Sequence, residues 1–153
     1  MDDLNFKIFK LSASGFCCTQ VMMKLALDDE ESENHDLIRA LQGLCKGIGG
    51  NQKTCGVLTG GIGILGLYAG KGRETEYSNE HFSRMIDEFC QWFEIEFGSL
   101  DCQDLIGVTS FKDGNQAYQV KCGDILAKSY LKVCEILFEY GFDYGNRERE
   151  DGV

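Results

Sequence analysis

Proline is absent from all 153 residues. No pyrrolidine ring therefore interrupts a helix, and turns fall to glycine, which occurs 19 times. Histidine occurs only twice, as His35 and His81. Both sit among polar residues near expected helix starts, which suits surface or capping roles better than metal ligation. Asp and Glu outnumber Lys and Arg by 25 to 15, and the formal charge of -10 is relieved by no basic cluster. Such a surface repels nucleic-acid phosphate and anionic lipid, so no nucleic acid is expected as a partner. The longest uncharged run, residues 54–70, is short of spanning length and contains glycines throughout. It reads as a buried core helix, with no membrane insertion. The loop Gly47-Ile48-Gly49-Gly50-Asn51 lacks the Gly-Lys-Ser/Thr ending and the preceding strand of a phosphate-binding loop.

No apolar leader follows the acidic start Met1-Asp2-Asp3, and a reducing cytoplasm is the expected compartment. There the eight cysteines are better read as ligands or redox thiols than as structural bridges. Their density is also below that of a small disulfide scaffold. A chain of this length makes one domain that can bury about 70% of its unfolded surface. Residues 1–153 are taken as that domain, with a polar tail, frayed from Asn146, at the end. The acidic cluster of residues 28–33 reads as a solvated connection.

Hydrophobic period predicts an all-α, compact bundle of about five to six helices around a central glycine-rich buried helix. Leu4, Ile8 and Leu11 mark a first helix closed by Gly15, and Cys18, Val21, Met22 and Leu25 mark the buried stripe of a second. Leu37, Leu41 and Leu44 mark a third that ends near Cys45. The run from Thr54 places Gly56 and Gly60 four apart, clearing a strip where another backbone can approach. Ser78-Asn79-Glu80 announces a long helix carrying Phe82, Met85, Phe89, Phe93 and Phe97, and Gly98 ends it. Asp101 caps a short turn, and a final helix over residues 121–140 has Cys122 in its first turn. Trp92 reads as an edge or interface residue.

Helix position divides the cysteines. Cys18, Cys55, Cys102 and Cys122 fall at expected helix amino termini, where free amides and the helix dipole favour a thiolate. A thiolate is the reactive form both for disulfide exchange and for metal ligation. Cys45 at a helix carboxyl end, and Cys90 and Cys134 in helix interiors, read as small buried hydrophobes. Cys17 reads as a spectator or an additional redox thiol, because neighbouring helical residues point about 100° apart. No Cys-x-x-Cys pair occurs, and the four spacings match no zinc-finger or ferredoxin pattern, so spacing alone leaves a purely structural role equally open.

Gly15-Phe16-Cys17-Cys18-Thr19-Gln20 resembles the Gly-Phe-Asn-Cys-Ala-Gln element of a redox-active family named for four cysteines and a Cys-Gly-Ala-x-x-Gly motif. Cys55-Gly56-Val57-Leu58-Thr59-Gly60 is similar to its central motif, Cys102-Gln103-Asp104-Leu105-Ile106-Gly107 to its third block, and Cys122 to its fourth cysteine. Val57 replaces the motif alanine and Cys17 the asparagine. The resemblance implies a redox class. A related domain in split-Soret-type cytochromes, with a proposed cysteine-bound cluster, extends this to an iron-sulfur cluster. The leading expectation is therefore that Cys18, Cys55, Cys102 and Cys122 converge on an iron-sulfur cluster of the [2Fe-2S] type for electron transfer or redox sensing with a redox partner protein. The first alternative is a metal-free thiol-disulfide protein in which Cys55 attacks and Cys18, Cys102 or Cys122 resolves; the second is a structural zinc in an interaction module. The acidic surface and glycine helix leave room for a homodimer.

Overall fold

A computed structural model describes residues 2–106 and 116–147. Its regular elements among the described residues are helices: α1 Asp3–Ala13, α2 Cys18–Asp29, α3 His35–Leu41, α4 Cys45–Ile48, α5 Gly56–Ala69, α6 Phe82–Phe97, α7 Cys102–Ile106 and α8 Gln116–Glu139. Among the described residues the one β-type contact is an isolated bridge between Thr54 and Asp101, and no helix is long and apolar enough to cross a membrane.

The ends of these helices follow local chemistry. Asp2 accepts a hydrogen bond from the Asn5 amide at 2.8 Å, and Asn34 accepts one from the Leu37 amide at 3.1 Å, so each satisfies a donor left free in a first turn. Gly98, at φ 90°, closes α6 as a left-handed cap. The final helix starts at Gln116 rather than near residue 121, which moves Cys122 out of the first turn and into the second. Its polar start had masked the boundary, since Gln116 lies in a stretch with no apolar period.

The glycine-rich α5 is central and packs against α2, α6 and α8. Its bare strips are what permit this. A Cβ on residue 60 would lie 2.9 Å from the Met22 Cβ on α2, and one on residue 61 would lie 2.5 Å from the Phe89 ring on α6. Around it Met22, Ile64, Leu65, Met85, Phe89, Phe93, Val133 and Leu137 are fully buried. Each such side chain contributes roughly 1.5–3 kcal/mol of transfer free energy. Trp92 belongs to this aromatic layer, stacked on Phe89 with centroids 6.0 Å apart.

The carboxyl end is fastened further than its polarity suggests. The Gly145 amide donates to the Tyr68 hydroxyl at 3.0 Å, and Arg147 clamps the buried Glu30 carboxylate with bonds of 2.9 and 3.1 Å. The tail expected to fray from Asn146 is thus held at Arg147; residues 148–153 lie outside the described residues.

Between α3 and α5 the backbone turns left-handed repeatedly. Lys46, Ile48 and Gln52 have φ of 56°, 64° and 60°, a conformation that is unfavourable for L-residues and most so for β-branched Ile48. Gly47 is required there, because a Cβ would lie 2.5 Å from the Lys53 amide nitrogen. This loop, with the 3-10 turn Gln42–Leu44 before it, carries Cys45 against the start of α5.

Candidate redox site

The chain from Lys53 to Cys55 is clasped to the segment before α7. Cys55 donates its amide to the Leu100 carbonyl at 2.8 Å, and Cys102 donates to the Lys53 carbonyl at 2.7 Å. Two helix starts separated by nearly fifty residues are thereby held side by side, with Cys55 as the N-cap of α5 and Cys102 as the first residue of α7. Cys18, the first residue of α2, reaches the same place because residue 56 is glycine: its sulfur packs directly on the Gly56 Cα, and Thr19 packs beside it.

The four cysteines selected from the sequence share an electrostatic neighbourhood. Cys55 lies near enough to Cys18 and Cys102, and Cys122 to Cys18, Cys55 and Cys102, that ionising one thiol would disfavour ionising the next. Cys18, Cys55 and Cys102 are at most 9% exposed; Cys122 is half-buried. The amides of Lys46 and Thr19 point at the Cys18 sulfur, and those of Val57 and Leu58 at the Cys55 sulfur.

Those amides stabilise thiolates, as the helix positions suggested, yet burial outweighs them. Burial pushes the Cys55 thiol up to about 12 and the Cys102 thiol up to about 11, and it raises Cys18 and Cys122 as well. The expectation of lowered thiol pKa is therefore overturned: without a bound cation these are neutral thiols at pH 7. Among the described residues no three His, Cys, Asp or Glu side chains surround one point as ligands of a single metal ion.

Cys17, read as a spectator or an additional redox thiol, and Cys45, read as a buried hydrophobe, are joined. Cys17 and Cys45 form a disulfide across 28 residues, with Cα atoms 6.0 Å apart. Cys45 caps the carboxyl end of the 3-10 turn that continues α3, as expected, but it is not a free apolar filler. The divergence of neighbouring helical side chains is the signal that could have found the pair, since Cys17 must point away from the pocket that Cys18 enters. Sequence reasoning also passed over Thr19 and Gln20, both buried. The Thr19 hydroxyl donates to the Leu41 carbonyl at 2.7 Å and touches the Cys45 sulfur at 2.8 Å. Gln20 donates to the Ile38 carbonyl at 3.1 Å and accepts from the Cys17 amide at 3.2 Å.

Cys90 and Cys134 lie on α6 and α8, and both are half-buried. His35 and His81 lie beside Glu33 and Glu80 at 3.6 and 3.3 Å, in the surface roles expected of them.

A family model described as "Putative redox-active protein (C_GCAxxG_C_C)" matches residues 16–136. No curated protein and no solved structure matches the chain.

Proposed function

The chain belongs to this redox-active family, and on that premise we propose that Cys18, Cys55, Cys102 and Cys122 together hold an iron-sulfur cluster of the two-iron type for electron transfer or redox sensing. What supports the reading is that the helix starts carrying Cys18, Cys55 and Cys102 are held against one another, with Cys122 near enough for their ionisation to raise its own pKa. Four cysteine sulfurs are the donor set such a cluster uses. The thiols are neutral and buried, a poor state for attack on an external disulfide but suited to ligation, because a bound metal deprotonates a coordinating thiol outright. A two-iron cluster also divides its thiolates two per iron, so it does not ask for three donors around one point.

When bound, the cluster would supply one-electron transfer at a potential set by charge, hydrogen bonding and solvent access. The chain's own part is to hold and shield the sulfurs. The amides of Lys46, Thr19, Val57 and Leu58 donate to Cys18 and Cys55, which favours added negative charge there. The half-buried Cys122 is the most open of the four and marks the side from which a redox partner protein would exchange electrons.

The metal-free alternative, with Cys55 as attacking thiol, is weakened by the 5% exposure of Cys55. Structural zinc would need four sulfurs around one ion.

Anaerobic purification followed by optical and paramagnetic spectroscopy tests the reading. The expected result is about two iron and two sulfide per chain with a reducible chromophore. A chain free of iron and carrying stoichiometric, redox-silent zinc would select the interaction module, and a metal-free two-electron couple at Cys55 would select thiol exchange.

A further inference from the structure

We propose that the Cys17–Cys45 pair is a second redox site, a dithiol/disulfide couple reduced reversibly by an external dithiol that enters at Cys17, with Thr19 and Gln20 holding the reduced form. The proposal stands whether or not the four-thiol site carries iron.

Three observations carry it. The two sulfurs differ in access: Cys45 is 4% exposed, whereas Cys17 is only partly covered at the start of α2. An incoming thiolate therefore has one sulfur to attack. Each sulfur also has an acceptor already in place for the hydrogen it gains on reduction. Reduced Cys17 can donate to the Gln20 Oε1 at 3.4 Å or the Gln42 carbonyl at 3.9 Å, and reduced Cys45 can donate to the Thr19 Oγ1 at 2.8 Å. Thr19 keeps its own bond to the Leu41 carbonyl meanwhile. Both oxidation states thus leave the buried polar groups satisfied, which a purely structural crosslink does not require. Finally, the bond is placed to be felt. It joins the N-cap of α2, one residue from Cys18, to the left-handed loop whose Lys46 amide points at the Cys18 sulfur.

The chemistry balances as ordinary exchange. A thiolate of the external dithiol attacks the Cys17 sulfur, the sulfur-sulfur bond breaks, and its electron pair leaves on the Cys45 sulfur, which takes a proton. The dithiol's second sulfur then attacks its partner sulfur in the mixed disulfide, closing a disulfide and releasing the Cys17 sulfur, which takes the second proton. Two electrons and two protons pass to the chain.

Equilibrating the full chain in dithiothreitol buffers of graded oxidation, trapping thiols by alkylation and locating the labels by tandem mass spectrometry tests this. Cys17 and Cys45 are expected to become labelled together along a two-electron curve while the helical circular dichroism stays unchanged. Thr19→Val removes the hydroxyl that accepts from reduced Cys45 and keeps the side-chain shape. It is expected to shift the equilibrium toward the disulfide by roughly three- to tenfold, the scale of one hydrogen bond. Labelling that appears only as the helices melt, pairing of Cys17 with any other cysteine, or oxidised protein with both thiols free would overturn the proposal. An unchanged midpoint in T19V would overturn the part given to Thr19.

Discussion

The Cys18 sulfur occupies the space in which a side chain at Gly56 would begin. That single contact joins the start of α2 to the start of α5, next to Cys55. Gly56→Ala is expected to leave the helical spectrum intact, to lower stability by about 1–3 kcal/mol as an overpacked core position does, and to reduce cluster content well below that of the parent. Iron analysis beside a denaturant unfolding curve checks both parts. Full iron loading in the variant would mean that the close approach of α2 is not needed for the site.

Gly61 provides the matching test on the other side of α5. A methyl there meets the Phe89 ring at 2.5–2.6 Å and Val133 at 3.2 Å, so Gly61→Ala is expected to destabilise by about 1–3 kcal/mol. Phe89→Ala, which empties a fully buried position, is expected to lose about 3–5 kcal/mol. Combining G61A with F89A should recover part of the loss, because the ring is what the methyl strikes. Strict additivity in denaturant melts would contradict this packing.

The buried thiols give the cluster-free protein a defined alkaline weakness. Cys55 and Cys102 titrate near 12 and 11 when folded, against an ordinary thiol value of 9.0. Their folded pKa is raised, so the stability they contribute is fully present below the unfolded value and disappears as pH rises through the folded one. Melting temperature is expected to hold to about pH 9 and fall from there toward pH 12. Cys55→Ser/Cys102→Ser should flatten that fall. A melting profile of the parent that is level across this range would refute the burial account.

Much of this fold was legible because its signals are periodic. The Phe82 to Phe97 stripe and the left-handed Gly98 place α6 directly, and the glycine spacing in α5 gives the close approach of α2. The helix-start positions of Cys18, Cys55 and Cys102 were legible although no local spacing links them, whereas Cys122 lies a turn further into its helix than its sequence suggests. The environment of those thiols was harder to read: helix starts favour thiolates, but how deeply a start is buried depends on elements far away in the chain, and burial won. The start of α8 was hidden for a similar reason, since Gln116 to Lys121 carries little apolar period before Cys122. The Cys17–Cys45 pairing depends on the left-handed turns at Lys46, Ile48 and Gln52. Two of these are residue types with no preference for that conformation, and β-branched Ile48 positively avoids it.

The central claim is that cysteines from four distant segments act as one site. Replacing each of Cys18, Cys55, Cys102 and Cys122 singly by alanine, and Cys90 and Cys134 as controls, while reading iron content and the reduced paramagnetic spectrum of anaerobically prepared protein, tests it most directly. The account predicts loss or alteration of the same spectrum in all four variants and the parental spectrum in both controls. Parental spectra in any of the four, or loss of signal in C90A or C134A with the fold intact, would contradict it.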